Sequence, residues 1–291
     1  MWLLIINPTS GGGRGERVGA LVRKVLSAKQ VDYRDISGTS YESARSNLSE
    51  VLEGMEIENV DGIIAVGGDG LVHCVVQEIA TRSIPLLVIP AGTGNDFARS
   101  MNLPLNDPES ILEYALAHPP VPIDAGYVNG EYFVAILSTG FDSVVNERAN
   151  RMKRIRGQIK YTISLLIELP LFKARDYRFR IDGETSSSKA MLIAIGNGAS
   201  YGGGMLVCPD ARIDDGIFDV MILGPISKFE FLKVFPKVFT GAHINHPAVT
   251  IKRGREISIE ASAVAYADGE RIGPLPITAS VKPGALKSWV L

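Results

Sequence analysis

The chain has few cysteines. Among its 291 residues only Cys74 and Cys208 are cysteine, and they lie in unlike sequence contexts without a partnered spacing. The sequence therefore predicts neither a disulfide framework nor a zinc site. A reducing cytosol is the expected compartment.

Excess charge of one sign and long apolar runs are also missing. The formal net charge is -2, which gives no general attraction to nucleic acid, so no nucleic-acid partner is expected. No uninterrupted apolar stretch approaches the roughly 20 residues that a transmembrane helix requires. Residues 1–6 are too short an apolar run for a signal peptide. Any membrane contact is expected to be peripheral, on the inner face.

What is present indicates a globular protein of two parts. Up to Pro122, short apolar runs alternate with helix-like stretches, which is typical of an open α/β sheet. From Ile123 onward, alternating strand-like segments predominate, one of them over residues 132–137, and these favour an antiparallel β domain. The run at residues 119–122 (PPVP) is the predicted linker.

Two glycine-rich turns follow buried strand-like runs, at residues 67–70 (GGDG) and 90–96 (PAGTGND). In parallel sheets, ligands gather at the carboxyl ends of the strands. Glycines there let backbone N–H groups approach an anion, and each turn also carries a carboxylate, Asp69 and Asp96. The pair predicts a site for a metal-bound nucleotide.

A third turn, residues 7–15 (NPTSGGGRG), follows the first strand and precedes a helix. A helix N-terminus favours an anion by about 0.3–1 kcal/mol. The turn lacks the lysine of a P-loop, and by itself it is equally well explained as a tight turn without a ligand. Three such turns in one half of the chain favour phosphate binding.

Taken in order, these motifs resemble the catalytic domain of the diacylglycerol kinase family, in particular its soluble bacterial lipid kinases. The resemblance continues through residues 123–126 (IDAG), 196–198 (GNG), 202–204 (GGG), 214–216 (DDG) and 267–270 (ADGE). It implies an α/β nucleotide-binding domain of residues 1–122 and about 280–291, to which residues 285–291 return. It also implies a β-sandwich lipid-binding domain of residues 123–279, with the active site in the cleft between the domains.

The resemblance implies ATP as co-substrate, with Mg²⁺. The residues expected to bind the nucleotide lie in or next to the turns, and they are Asn7, Ser10, Gly11, Gly12, Gly13, Arg14, Thr39, Gly67, Gly68, Asp69, Gly70, Leu71, Val72, His73 and Thr93. The chain departs from the family pattern at two of them. Leu71 stands where threonine is usual, which removes a hydroxyl near the phosphates, and His73 stands at a common asparagine position.

Three acids are expected to organise Mg²⁺ and its waters, because this hard cation prefers oxygen ligands. By the resemblance these catalytic acids are Asp69, Asp96 and Asp124. Each of the first two has a structural alternative. Asp96 could cap a helix that begins at Phe97, and Asp69 could be a turn carboxylate.

A fourth catalytic residue, Glu270, would by the resemblance accept the proton of the lipid hydroxyl. General bases of this kind contribute about 10²–10⁴ in rate. Asp268 is expected to support it. The alternative is a simple hairpin turn, since Asp-Gly is a favoured turn dipeptide, but a turn leaves Glu270 unexplained.

A second metal site is implied at Asp215. The resemblance assigns it a structural Mg²⁺ that is also bound by the backbone carbonyls of Arg212 and Ile217. An ordinary Asp-Gly turn between strands is the alternative.

Two regions are candidates for lipid contact. The first is a basic run with Arg148, Arg151, Lys153, Arg154, Arg156 and Lys160, followed by the apolar residues 161–172. Basic residues near anionic lipid contribute about 1 kcal/mol each. The alternative is a solvated face beside a core helix, and for the apolar residues alone this alternative is favoured. The second is Phe231, Phe235 and Phe239, interpreted as one stripe of a helix that packs on a sheet.

The interpretation that unites these features is an ATP- and Mg²⁺-dependent lipid kinase. It would phosphorylate the hydroxyl of diacylglycerol or a related lipid at the membrane surface, a step of phospholipid metabolism. A small-molecule kinase related to NAD kinases is one alternative, since those enzymes share the GGDG turn. A non-catalytic nucleotide or lipid sensor is another, and the sequence leaves open whether the chain is a monomer or a homodimer.

Overall fold

The computed structural model describes residues 1–80, 82–152 and 159–291. They form two compact units, one containing Met1–Ala125 and Pro283–Leu291 and the other containing Gly126–Lys282. Of the helices in these ranges, none is both long enough and apolar enough to traverse a bilayer.

The first unit is an α/β fold. Its strands are Trp2–Ile6 (β1), Tyr33–Asp35 (β2), Gly62–Gly67 (β3) and Pro85–Pro90 (β4), and its helices are Ser10–Ala28 (α1), Tyr41–Gly54 (α2), Asp69–Ile79 (α3), Asp96–Ser100 (α4) and Pro108–Ala117 (α5). The strands pair in the order β2-β1-β3-β4, all parallel. β1, β3 and β4 are apolar and buried almost throughout, as is usual in parallel sheets. The predicted α/β fold is confirmed.

The second unit is built from antiparallel strands. Their bounds, including two strands that the units share, are Val121–Val128 (β5), Glu131–Phe133 (β6), Ile136–Gly140 (β7), Arg175–Ile181 (β8), Glu184–Ala190 (β9), Leu192–Gly196 (β10), Phe218–Leu223 (β11), Val249–Gly254 (β12), Glu256–Glu260 (β13), Val264–Ala267 (β14), Glu270–Pro274 (β15) and Ile277–Ser288 (β16). Six of them form a sheet in the order β12-β11-β10-β7-β14-β15. A second sheet joins β9, β8, β13 and the first residues of β16.

A buried apolar core joins the two sheets of this unit. Its members come from both, for example Ile193 and Phe218 from one sheet and Phe179 and Ile257 from the other. The rings of Phe133 and Phe218 stack with centroids 5.7 Å apart. Two sheets that face each other across such a core make a sandwich, so the predicted antiparallel C-terminal domain is confirmed.

Three helices pack on the other face of the six-stranded sheet. They are Phe141–Arg151 (α6), Ile159–Glu168 (α7) and Lys228–Val234 (α8). An apolar cluster joins them to the sheet, with Phe141, Leu169 and Phe231 from the helical side and Met221 from the strands.

The predicted stripe of phenylalanines packs on the sheet through Phe231 and Phe235, but the prediction of one helix that includes Phe239 was wrong. α8 ends at Val234, and Phe235–Thr240 form a 3₁₀ segment, because Pro236 has no N–H to continue the α-helical bonding. Phe231 is buried and stacks on Phe235 at 5.8 Å, whereas Phe239 is 52% exposed.

The last residues of the chain belong to the first unit. Lys287 and Ser288 pair in parallel with the start of β4, and the Ser288 hydroxyl donates to the Leu86 carbonyl at 2.7 Å. The indole of Trp289 lies 5.6 Å from that of Trp2. The sheet of the first unit is therefore extended by a strand from the opposite end of the chain.

Candidate active site

The first glycine turn opens α1. Gly11, Gly12 and Gly13 have φ angles of 56°, 69° and 95°, in the left-handed region that favours glycine. A Cβ on Gly11 would lie 2.3 Å from the Ala91 carbonyl oxygen. This turn therefore packs directly against the turn that follows β4.

The turns after β3 and β4 also touch, backbone to backbone. A Cβ on Gly92 would lie 2.5 Å from the Cα of Gly68, so no side chain fits between them. The N–H groups of Ala91 and Gly92 donate to the Gly67 carbonyl at 2.8 and 3.1 Å. All three predicted phosphate-binding turns thus meet at the carboxyl edge of the parallel sheet, where such sheets bind ligands.

The Asp69 carboxylate connects two of these turns. One oxygen accepts the N–H of Asn95 at 2.9 Å, and the other accepts the N–H of Asp96 at 2.8 Å. Asn95 directly precedes α4 and Asp96 is its first residue, so Asp69 caps the helix of the neighbouring turn. Each oxygen keeps one lone pair for a further partner. The carboxylate is therefore held in a fixed orientation, and both of its oxygens can still accept a further hydrogen bond or bind a metal ion.

Asn95 shapes its turn in a way that the sequence interpretation missed. It adopts the left-handed conformation with φ 56°. Its side chain accepts the Gly92 N–H and donates to the Gly92 carbonyl, both at 2.9 Å. Asparagine is enriched among left-handed residues, and that preference is the signal that could have identified it. Asn95, and not Asp96, precedes the helix as its cap residue.

The other two predicted acids are both buried in the first unit. Asp96 is 6% exposed, and its carboxylate approaches the same point as that of Asp69. A Cβ on Gly94 would lie 2.5 Å from Asp69 Oδ2 and 3.3 Å from Asp96 Oδ2. Asp124 accepts the N–H of Gly284 at 2.8 Å. The structure therefore brings Asp69 and Asp96 together and ties Asp124 to the C-terminal segment.

The donor set suits Mg²⁺ held largely through water. Within the described ranges, no group of three or more histidine, cysteine or acidic side chains is arranged to hold a metal ion directly. Mg²⁺ usually keeps several waters and binds one or two carboxylates together with substrate phosphates. Asp69, with its remaining lone pairs, and the adjacent Asp96 match that pattern.

Of the other predicted nucleotide ligands, Asn7, Ser10 and Thr93 lie in the glycine turns, and Thr39 lies in a separate bend. Asn7 Oδ1 accepts from the N–H and hydroxyl of Thr9 at 3.2 and 2.9 Å, and the hydroxyl of Ser10 would lie 3.4 Å from a Cβ on Gly68. Thr39, in a bend before α2, and Thr93 are exposed.

The remaining predicted ligands are engaged within the unit. Leu71 and Val72 are buried in α3, and Leu71 fills the space beside Gly67. His73 is 4% exposed and lies 3.5 Å from Gln77. Arg14 donates to the Leu105 carbonyl and to Asn106. Leu71, one departure from the family pattern, is a packing residue here.

In the second unit, Asp268 organises the turn that carries Glu270. Its carboxylate accepts three backbone N–H groups, from Val134 at 2.7 Å, Ala135 at 2.9 Å and Ile136 at 3.1 Å. Glu270, the first residue of β15, is exposed, and its side chain forms no hydrogen bond with any described residue. Asp268 thus fixes the turn while Glu270 is left accessible.

A network that sequence reasoning missed lies beside that turn, with Tyr266 buried and Arg271 exposed. The Glu147 carboxylate accepts from the Tyr266 hydroxyl at 3.1 Å and from Arg271 Nε at 2.7 Å. Burial, followed by the hydrogen bond to Glu147, raises the pKa of Tyr266 to about 12. The hydrogen bond from Arg271 lowers the pKa of Glu147. Tyr266 and Arg271 are cross-strand partners on β14 and β15, so they stiffen the hairpin on either side of Glu270.

Asp215 pairs with a residue that the sequence did not indicate. Its carboxylate forms an ion pair with Arg253 and accepts the Ile217 N–H at 3.2 Å. Arg253 also binds Asp219 at 2.9 Å, and Arg212 pairs with Asp214 at 3.1 Å. The Asp-Gly turn is thus present, and the Arg253 guanidinium is bound to the Asp215 carboxylate. The Mg²⁺ ion bound by Asp215 and the carbonyls of Arg212 and Ile217 stays a prediction.

The basic run is partly neutralised where it can be described. Arg148 forms an ion pair with Glu168, and Arg151 lies 3.6 Å from Glu147. These side chains, with Val144 and Met152, line a cavity of about 270 Å³. Lys160 lies 4.9 Å from the Tyr161 ring. The predicted lipid-contacting residues Lys153, Arg154 and Arg156 lie outside the described residues.

Comparison with known proteins relates both halves of the chain to one group. Residues 1–128 match the family model "Diacylglycerol kinase catalytic domain", and residues 135–290 match "YegS C-terminal NAD kinase beta sandwich-like domain". The protein named diacylglycerol kinase in Mycobacterium tuberculosis is 36% identical over 97% of this chain and 93% of its own length. The one in Bacillus subtilis is 30% identical over 94% of this chain and 90% of its own length.

Solved structures show the same fold. The crystal structure of a diacylglycerol kinase from Bacillus anthracis is 22% identical, with a TM-score of 0.75 over all of this chain and 96% of that one. Another structure from the same organism is 23% identical, with a TM-score of 0.81 over all of this chain and 95% of that one.

Proposed function

Because the chain belongs to the diacylglycerol kinase family, we propose that it transfers the γ-phosphoryl group of ATP to the hydroxyl of diacylglycerol or a related lipid. The observation that carries the proposal is the meeting of three glycine turns around the fixed Asp69 carboxylate. Phosphoryl transfer needs mainly positioning and neutralisation of charge on the phosphate oxygens. A rigid glycine edge with an adjacent acid supplies both.

In this proposal, ATP lies on the turns of the first unit. Backbone N–H groups of the glycine turns face the phosphates, as at other helix N-termini that bind anions. Asp69, Asp96 and Asp124 hold Mg²⁺ through waters. When bound, the ion neutralises charge that develops on the phosphate oxygens. The chain's own part is to orient these carboxylates, and the Asp69 bonds to Asn95 and Asp96 do so.

Glu270 is the proposed acceptor of the proton from the lipid hydroxyl. It is exposed and carries no competing hydrogen bond among the described residues. Asp268, which holds the turn, and the Tyr266–Glu147–Arg271 network act as positioning groups. A lipid acceptor resides in a membrane, so we propose that the protein works peripherally at the inner membrane surface.

Labelled phosphate transfer tests the proposal. Wild-type protein is incubated with γ-labelled ATP, Mg²⁺ and a panel of diacylglycerols, other lipid alcohols and NAD, and the products are separated by chromatography. We expect label on a diacylglycerol-like lipid. Label on NAD alone would instead support the small-molecule kinase, and nucleotide binding without transfer to any acceptor would support the sensor.

A further inference from the structure

Large apolar side chains on the surface are concentrated in two segments of the second unit. Of the ten that are exposed in the described part of the chain, seven lie within residues 161–171 and 229–239. The most exposed are Phe229 at 81%, Leu171 at 72% and Leu166 at 58%. Single exposed apolar side chains are ordinary, but a concentration of them marks an interaction surface.

The two segments adjoin in the fold. Lys228 Nζ donates to the Phe172 carbonyl, and the Phe141 ring lies 5.2 Å from Phe172 and 5.1 Å from Phe231. Phe172 and Phe231 are thus anchored in one buried aromatic cluster. Their neighbours in the chain are exposed and form what we call the apolar face, which consists of Leu166, Ile167, Leu171, Phe229, Leu232 and Phe239.

The charges in and next to these segments are predominantly positive. Lys173, Lys233 and Lys237 are exposed and form no ion pair with any residue that the structure describes. Of the two acids in the segments, Glu168 forms an ion pair with Arg148, and Glu230 is hydrogen-bonded to His246 at 3.1 Å. The surroundings of the apolar face are therefore cationic, although the whole chain has a formal net charge of -2.

We infer that the apolar face docks on a lipid bilayer that contains anionic lipid. Its apolar side chains enter the headgroup region, and Lys173, Lys233 and Lys237 contact lipid phosphates, as in other interfacial protein segments. A second copy of the chain fits less well, because a symmetric contact would bring the unpaired lysines of both copies together. The inference deepens the proposed function and rests on it, since it names the surface by which a lipid kinase would reach its acceptor.

Vesicle binding tests the apolar part of the contact. The full chain is titrated, without ATP, with vesicles of phosphatidylcholine and phosphatidylglycerol in equal parts. We expect the double variant Leu171→Ser, Phe229→Ser to bind at least about tenfold more weakly, because two apolar side chains no longer leave water. The control is Ile251→Ser, which alters an exposed apolar residue of β12 and should bind within about twofold of wild type. Unchanged binding of the double variant would overturn the inference, and so would a wild-type dimer that this variant dissociates.

The lysines are tested by Lys233→Gln, Lys237→Gln. We expect weaker binding and a shallower loss of binding with added salt, because fewer charges remain to be screened. Wild-type protein should also bind less tightly to phosphatidylcholine alone. Equal wild-type affinity for neutral and anionic vesicles would overturn the anionic-lipid contact.

A fluorescent reporter separates this inference from the proposed function. In Phe229→Trp the new indole should shift to shorter emission wavelength on vesicle addition, against the constant background of the buried Trp2 and Trp289. The serine double variant should phosphorylate a short-chain, water-soluble diacylglycerol at the wild-type rate. Vesicle binding without phosphorylation of any lipid would refute the proposed kinase activity and leave the docking inference standing. Phosphorylation with no emission shift would refute the docking face alone.

Discussion

Asp69 in the first unit and Asp268 in the second occupy similar turns and do different work. Both sit in an Asp-Gly dipeptide at the edge of a sheet, and both accept backbone N–H groups from another segment. Asp69 receives one N–H on each oxygen. Asp268 receives two on Oδ1 and one on Oδ2.

The two carboxylates differ in their unused capacity to accept hydrogen bonds. A carboxylate oxygen accepts about two hydrogen bonds, so Asp69 keeps capacity on both oxygens, whereas Oδ1 of Asp268 is filled. The first arrangement can serve the fold and a ligand together. The second serves the fold, and its neighbour Glu270 is the residue proposed for the chemistry. The role of an acid in such a turn is therefore best judged by its unused lone pairs.

The largest effect is expected for Asp69→Asn. The amide cannot accept on both sides, so one N–H of α4 loses its partner, which lowers the free energy of unfolding by about 1–3 kcal/mol. Loss of the charge should lower turnover by about 10²–10³-fold, as for other groups that stabilise a transition state electrostatically. Single-turnover rates and urea unfolding measure the two effects.

The matched control is Asp176→Asn, which changes an exposed aspartate of β8. It should leave both quantities near wild type. If Asp69→Asn lost stability but kept its turnover, Asp69 would serve only the fold, as Asp268 does, and the proposed difference between the two acids would be wrong.

Glu270→Gln is expected to lower turnover by roughly 10²-fold while ATP affinity stays within about threefold, because a base is needed only for proton removal. A short-chain lipid in single-turnover mode avoids limits set by lipid exchange. Glu260→Gln, at the exposed end of β13, is the control. Wild-type turnover in Glu270→Gln would remove this residue from catalysis.

Asp268→Ala should act mainly on stability. Three backbone N–H groups lose an ionised acceptor, and such bonds contribute about 1.5–3 kcal/mol each without being additive. We expect the free energy of unfolding to fall by about 3–5 kcal/mol in urea titrations. Asp214→Ala, which removes an exposed acid from a turn of the same unit, should cost little. If the folded variant lost turnover while its free energy of unfolding stayed near that of wild type, Asp268 would take part in catalysis.

The smallest effect is expected for Asp142, whose carboxylate has a hydrogen-bond donor from the described part of the chain on only one of its two oxygens. Oδ1 accepts the Ser143 N–H at 2.8 Å, while Oδ2 is buried without a hydrogen-bond partner among the described residues. Burial raises its pKa from 3.8 to about 6. Because the folded pKa is the higher one, stabilisation by the bound proton is fully present below about pH 4 and is lost as the pH rises through about 6.

Asp142→Asn removes that titration. At pH 7 the variant should be more stable than wild type by about 1–3 kcal/mol, and the difference should shrink towards pH 4. Urea unfolding at both pH values measures it. A difference that does not change with pH would show that Asp142 is not buried in its charged form at neutral pH.

The sequence predicted local structure well where one segment determines it. The apolar run at residues 63–66 became β3 and that at 86–89 became β4, each followed by its glycine turn. The prediction of one strand over residues 132–137 was wrong. The chain leaves the strand at Val134 and Ala135, whose N–H groups turn to Asp268, and no local pattern encodes a partner more than a hundred residues away.

The same limit applied to the candidate site. Its turns were found because glycine after a buried strand is a local signal. Arg253, which pairs with Asp215, and Glu147, which binds Tyr266 and Arg271, were missed because ordinary charged residues acquire such roles only through tertiary contacts. The end of α8 could have been predicted, since Pro236 stands in the sequence.

The sheet of the first unit can be completed only at the end of translation, because its last strand lies at the C-terminal end of the chain. On a translating ribosome, β1 to β4 emerge long before Lys287 and Ser288, which complete their sheet, and before Gly284, which binds Asp124. The sheet of the first unit therefore keeps one edge unpaired while the whole second unit is synthesised. An exposed edge strand is a site for wrong pairing, so nascent chains stalled before residue 283 should be the species most dependent on chaperones.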